Sequence, residues 1–191
     1  MKVNELTADL LCGKLVRLCA VDPDVFSKIF IAWSHDSEFW RLLAHSPPVP
    51  LSQEGMKKFI EKELMKDDPR NLFFIVRTLK DDHIIGEIGL DGISYTRGDS
   101  YVGIGIGERN YWGKGYGTDA MNIMLRYAFT ELNLQRVSLT VFEYNQRAIR
   151  SYEKCGFKHE GRSHEAFHRE GRRWDVIHMG ILGEEWQALN G

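Results

Sequence analysis

The sequence predicts an α/β fold built on one mixed, mostly antiparallel sheet of about seven strands with helices on both faces, and three observations lead there. Runs of β-branched and aromatic residues alternate with amphipathic helical stretches along the 191 residues. The strand–helix–strand unit from residue 101 to 142 demands a parallel pair, because a crossover helix returns the chain in the same direction. Two closing strands then meet near Gly171.

Taken in order, residues 14–21 read as the first strand. Asp22 and Pro23 supply an N-cap and a proline for the first helical position. Phe26, Ile29, Phe30 and Trp33 form the apolar stripe of that helix. Residues 35–50, with Phe39, Trp40, Pro47, Pro48 and Pro50, read as a semi-rigid loop holding a broken helical turn, suited to wall a substrate cleft. Ser52 caps a second helix whose Met56, Phe59, Ile60 and Leu64 share a face. Strands are expected at 72–76, 84–90 and 101–106. A third helix follows, turning Met121, Met124, Leu125, Ala128 and Leu132 inward. Residues 136–142 alternate as a fifth strand. In the next helix, 145–155, Ala148, Ile149 and Tyr152 lie on one side and Gly156 gives a left-handed stop. The strands at 158–167 and 173–182 close the fold. No repeat, low-complexity tract or linker interrupts the chain, so a single domain over residues 1–191 is expected.

With 43% hydrophobic residues the chain can bury a full core. A net charge of -2 argues against nucleic acid as a partner, which calls for a basic excess. No apolar run approaches the ~20 residues that span a bilayer. The start, with Lys2, Glu5 and Asp9, lacks the apolar core of an export signal, so a soluble, cytoplasmic protein is expected. Cys12, Cys19 and Cys155 fit neither a disulfide framework nor a zinc knuckle and read as reduced, buried thiols.

Residues 102–118, VGIGIGERNYWGKGYGT, carry the chemistry. Val102, Ile104 and Ile106 alternate with Gly103, Gly105 and Gly107; glycines inside a strand suggest a bulge or the close approach of something flat. Gly113, Gly115 and Gly117 then surround Lys114 at the start of a helix, where successive N–H groups can receive a phosphate. The nucleotide-triphosphate loop fails, since five residues rather than four separate Gly107 from Gly113 and Gly115 follows Lys114. The dinucleotide fingerprint fails at Thr118, where it needs glycine. A phosphate-bearing cofactor remains, against a ligand-free glycine-rich hairpin.

The order strand, Tyr-Trp-Gly-Lys-Gly-Tyr-Gly-Thr, helix, strand, then Asn145-x-x-Ala148-x-x-x-Tyr152-x-x-x-Gly156-Phe157, resembles the GNAT superfamily of acyl-CoA N-acyltransferases. Within it the chain is similar to the branch of ribosomal-protein alanine and spermidine acetyltransferases, over about residues 15–182. The resemblance implies acetyl-CoA as the acyl donor, with its pantetheine arm between two splayed parallel strands, 101–106 and 136–142. Main-chain groups of Ile104 and Ile106 would pair with that arm. The pyrophosphate would rest on the N–H groups of 113–118, a loop that includes Tyr116, although Trp112 stands where the family usually carries Gln or Arg. Lys114, Arg109, Arg147 and Arg150 are candidates for the outer phosphates or, equally, solvated surface charges. Asn145 and Tyr152 stand ~10 Å apart on one helix face. On the residues alone they read as a helix cap and a core aromatic; the resemblance makes both ligand-facing, with Tyr152 giving a proton to the departing thiolate.

The expected reaction is direct attack of a neutral amine on the thioester, with an N–H of a bulged strand near Ile104 polarising the carbonyl. Cys155, at a helix end, reads as packing rather than nucleophile. Glu87, Glu108 and Glu143 lie near strand ends, and none is assigned as base. The acceptor is a protein N-terminus, a polyamine or another small amine. Trp33, Phe39, Trp40, His164, Phe167 and Trp174 are candidates to line its side. A homodimer is common in the resembling family. Two competing classes are a non-catalytic acetyl-CoA sensor and a zinc hydrolase. The latter would use His164-Glu165-Ala166-Phe167-His168, but on a strand those histidines stand ~13 Å apart and do not chelate.

Overall fold

The computed structural model describes residues 10–47, 49–50, 52–64 and 68–190. Lys2, Glu5, Asp9, Pro48 and the Leu64 side chain, each used above, lie outside them. The strands are β1 (Val16–Cys19), β2 (Leu72–Thr78), β3 (Ile84–Ser94), β4 (Asp99–Ile106), β5 (Arg136–Phe142), β6 (Lys158–Arg169) and β7 (Arg172–Leu182). They form one sheet in the order β1-β2-β3-β4-β5-β7-β6, antiparallel throughout except for the β4–β5 pair.

The helices are α1 (Pro23–Ser34), α2 (Ser37–Leu43), α3 (Gln53–Phe59), α4 (Tyr116–Thr130), α5 (Gln146–Lys154) and α6 (Gly183–Asn190). Capping sets their starts as the sequence indicated. The Asp22 carboxylate accepts from the N–H groups of Asp24 and Val25, with Pro23 opening α1, and the Ser52 hydroxyl accepts from Gly55 N–H. Asp36 does the same for α2, which turns the expected broken turn within 35–50 into a seven-residue helix. An Asp two residues after a helix end was the signal. The final helix, α6, was not expected; its Trp186 packs on Phe129 and so docks it against the core.

Two cores flank the sheet. Val76, Ile88, Val102 and the inward face of α4 (Met121, Met124, Leu125, Ala128) fill one side, joined by Ile149 of α5. Phe26, Phe30 and Trp33 of α1, Phe39 of α2, Met56 and Ile60 fill the other. The alternation of adjacent residues between them, Ile75 to one core and Val76 to the other, is the period-two signature of a central strand. Phe59, assigned above to the buried face of its helix, is exposed, because the chain continues into a π-helical turn at Ile60–Leu64 that rotates the face. Of the cysteines only Cys155 is buried; Cys12 and Cys19 are half-buried, a correction to the expected trio of buried thiols.

Asp119 in the first turn of α4 accepts from the N–H groups of Lys14, Leu15 and Val16 at 3.1, 2.7 and 3.0 Å, fixing the approach to β1. The three glycines of β4 and its exit serve different ends. A Cβ at Gly107 would overlap the Trp33 ring, and one at Gly105 would strike the Glu87 carboxyl, whereas Gly103 faces open space. The flat object that approaches this strand is thus an indole of the protein's own α1. Gly107→Ala is expected to lower unfolding free energy by about 2 kcal/mol, as overpacking does, while Gly103→Ala changes it by less than about 0.5 kcal/mol. Urea titration of the two variants reads out the contrast; equal losses would contradict it.

Candidate active site

Beyond Asp99↔Arg136, Ser100↔Val137 and Tyr101↔Ser138, the parallel strands β4 and β5 no longer pair. They diverge around a cleft of about 390 Å³ lined by residues 102–106 on one side and 140–142 on the other. Gly107 N–H donates to the Ile85 carbonyl at 2.9 Å, and antiparallel ladders alternate, so the main-chain groups of Ile104 and Ile106 point the opposite way, into the cleft. The Trp112 indole N–H donates to the Ile106 carbonyl at 2.5 Å, which confirms the direction and occupies that oxygen. Pairing of β4 with β3 runs without a register shift from Tyr101 to Ile106. The bulge expected near Ile104 is therefore not there; the irregularity lies between Asp91 and Ser94, and divergence of β5 opens the edge instead.

At one end the cleft meets the glycine-rich loop. Gly113 (φ 71°) and Gly115 (φ 91°) take left-handed backbone, and no side chain caps α4. The first N–H groups of α4 are consequently left for a ligand or water. Trp112, Gly113, Gly115, Gly117 and Thr118 line the cleft. Lys114 is exposed and outside its wall, and Tyr116, also not part of the wall, packs edge-on at 4.9 Å against Tyr111, which is. Arg147 lies 3.7 Å over the Trp112 ring; burial lowers its pKa, and among the described residues no carboxylate pairs with it. Arg150, exposed on α5, also reaches the wall. Arg109 is the correction here. Its guanidinium is taken by Asp36 and Glu38, and the Asp36 carboxyl is held down to about 2, first by that hydrogen bond.

Asn145 and Tyr152 both face the cleft from α5. Asn145 is also the cap: its side-chain oxygen accepts from Ala148 N–H at 3.2 Å. The Tyr152 hydroxyl has no hydrogen-bond partner among the described residues, and burial, reinforced by Cys155 and opposed by Arg147, pushes it up to about 12. It stays protonated across the neutral range. Cys155 is buried, with Sγ 3.7 Å from the Thr118 carbonyl oxygen and a thiol pushed up to about 12 by burial, the reverse of an activated nucleophile.

The other end is aromatic. Phe39 and Leu43 of α2, His45 and Phe142 line it, with His45 and Phe167 each 4.8 Å from the Phe142 ring. Tyr144 and Trp174 continue the cluster at 5.0 Å. Arg169 donates to the carbonyls of Arg41, Ala44 and His45 and to the Tyr144 hydroxyl, joining the β6–β7 turn to the end of α2. Trp33 and Trp40 belong to the core instead, donating to Glu108 (2.9 Å) and the Ser46 carbonyl (3.0 Å). His164 is exposed and pairs with Asp175 at 3.2 Å. With His168 it lies on β6, whose register shifts between Ser163 and Phe167, so the motif has no helix to align it. Sequence reasoning missed His45, Phe142, Tyr144 and Arg169, which only tertiary structure brings together.

The three unassigned carboxylates separate clearly. Glu108 accepts from Trp33, and Glu143 accepts from Asp175 N–H at 2.9 Å and pairs with Arg162 at 3.5 Å. Glu87 is buried opposite Gly105; its Oε2 has no hydrogen-bond partner among the described residues, and burial pushes it up to about 8.

Residues 16–158 match the family described as the acetyltransferase (GNAT) domain. A prophage-derived uncharacterized N-acetyltransferase of Bacillus subtilis is 30% identical over 179 residues, covering 94% of this chain and 96% of that protein. The spermidine N(1)-acetyltransferase of Vibrio cholerae is 36% identical over 104 residues, 54% of this chain and 60% of that one. A crystal structure of the Vibrio cholerae spermidine N-acetyltransferase with CoA and spermine superposes with a TM-score of 0.79 at 27% identity, covering 90% of this chain and 98% of that one. With the family match spanning most of the sheet and the splayed cleft at its centre, the chain belongs to the GNAT family and is an acetyl-CoA-dependent N-acetyltransferase.

Proposed function

We propose that the acetyl group passes in the β4–β5 cleft to a primary amine, either a protein N-terminal alanine or serine or a polyamine-like small molecule. The observation that carries this is the three-pair limit of β4–β5 pairing, which leaves a strand edge and a volume suited to an extended thioester. On this reading the N–H of Ile104 or Ile106 holds and polarises the donor. The N–H groups of 113–118, with Arg147 and Arg150, hold the phosphates, and Asn145 orients the arm. Lys114 adds long-range attraction from outside the wall, and Tyr116 buttresses the loop through Tyr111. Arg109, spent on Asp36 and Glu38, has no part. Tyr152 donates its proton to the leaving sulfur, for which its unpartnered, fully protonated hydroxyl is suited. The amine approaches from the aromatic end, past Phe39, His45 and Phe142.

Cytoplasmic residence fits three unpaired thiols, and a homodimer is the state to test by sedimentation. An acetyl-CoA turnover screen over alanyl- and seryl-terminated peptides, spermidine and aminoglycosides is expected to give saturable activity in one class. Absence of measurable coenzyme A affinity in calorimetry would overturn the reading.

Tyr152→Phe should lower kcat by about 10²-fold, the lower end of the usual general-acid contribution, and uniformly from pH 6 to 9, because the hydroxyl does not titrate there. Full kcat in that variant would remove the role. Replacing Arg147 and Arg150 by Ala should weaken coenzyme A by about 10-fold or more, from the ~1.5–3 kcal/mol of a charge-assisted hydrogen bond, while leaving S-acetyl-pantetheine unaffected. Equal weakening of both ligands would place the arginines elsewhere.

A further inference from the structure

Glu87 lies directly opposite Gly105 in the β3–β4 register, and both face the core built from α1, α2 and α3. Its carboxyl overhangs Gly105 so closely that any side chain there would strike Oε1. Gly105 sits between Ile104 and Ile106, whose main-chain groups face the cleft, and it lines the cleft itself. The Leu43 side chain, another cleft wall, lies 3.2 Å from the place a Gly105 Cβ would take. One missing side chain and one leucine therefore separate the carboxyl from the reaction space.

A buried polar atom without a partner calls for a reason, and Oε2 of Glu87 is one. Around it β2 presents Ile75, β4 presents Gly105 and α2 presents Leu43. None of these is titratable, and no charged side chain among the described residues perturbs the group, whose shift comes from burial. Such a carboxyl keeps its proton up to about 8, and among the described residues no cation pairs with it.

We propose that Glu87 is the catalytic proton acceptor of the transfer, reaching the acceptor amine across Gly105 beside Leu43. This rests on the donor lying in the β4–β5 cleft as set out above. An incoming ammonium stabilises the carboxylate by its opposite charge, so Glu87 releases its resting proton to solvent as the amine binds. One N–H bond of the ammonium breaks and an O–H bond forms on Glu87. The freed nitrogen lone pair bonds to the thioester carbonyl carbon, the C–S bond breaks, and the sulfur leaves as the free thiol with the second nitrogen proton, relayed through Tyr152. The proton taken from the amine leaves Glu87 in its protonated resting state when the products depart. The need is real for an amine near ~10.4 and smaller for an α-amine near ~8.

Glu87→Gln keeps the shape and removes the acceptor. The variant should bind acetyl-CoA within about twofold of wild type, lose about 10²-fold or more in kcat/KM, and lose the inflection near pH 8 from its pH profile. A second readout needs no substrate. Because the folded carboxyl titrates above its ordinary 4.5, its stabilising contribution is complete below that value and is lost as pH rises through about 8. The Tm of the Gln variant should therefore gain on wild type between pH 5 and 9. Retained kcat/KM with the inflection intact, a rise in KM alone, or a Tm difference that ignores pH would each overturn the proposal. If wild type binds no acetyl-CoA, or acetylates no amine in the screen, the underlying reading fails instead, and the two failures are distinct.

Discussion

A central strand with one unpaired edge is the constraint around which this molecule is organised. β4 is paired to β3 from Tyr101 to Ile106, but on its other side it keeps β5 for three residues only. Buried main-chain groups left without partners are costly, so such an edge persists only where water or a ligand completes it. The surroundings hold the gap open from both sides. β5 is anchored away from it by seven consecutive pairs with β7, and the Trp112 indole closes the end of the edge at the Ile106 carbonyl. Beyond that point, Gly107 admits the Trp33 ring, pinning the exit of β4 to α1.

The two mouths of the cleft differ in chemistry because different elements build them. At the α4–α5 mouth, the uncapped start of α4 meets Arg147 and Arg150, which form no close ion pair among the described residues, making a positive surface. At the mouth made by α2 and the β6–β7 hairpin, rings predominate. The charge and the rings are thereby segregated to opposite ends of the same cleft.

Most of the architecture was legible in the letters. The strand set, the caps at Asp22 and Ser52, the left-handed stop at Gly156 and the glycine-rich turn before α4 all rest on local chemistry that a sequence displays. What escaped depended on distance along the chain. Whether Arg109 is free could not be read without knowing that Asp36 and Glu38 come beside it, and the meaning of each β4 glycine was set by residues far away: Trp33, Glu87 and, for Gly103, none. The aromatic end was hidden for the same reason, since His45, Phe142 and Phe167 share no motif. Helix α2 is the exception, a local feature marked by Asp36 and obscured by the prolines that follow.

Arg169 binds three carbonyls at the end of α2, the farthest 128 residues away in sequence, and Arg41 returns the contact by pairing with Glu170. Those two stretches behave as halves of a single jaw. Loss of the Arg169 side chain would strand the carbonyls of Arg41, Ala44 and His45 that it holds. A displacement of either stretch is transmitted to the other, so the wall formed by α2 and the turn of the hairpin hold their positions jointly.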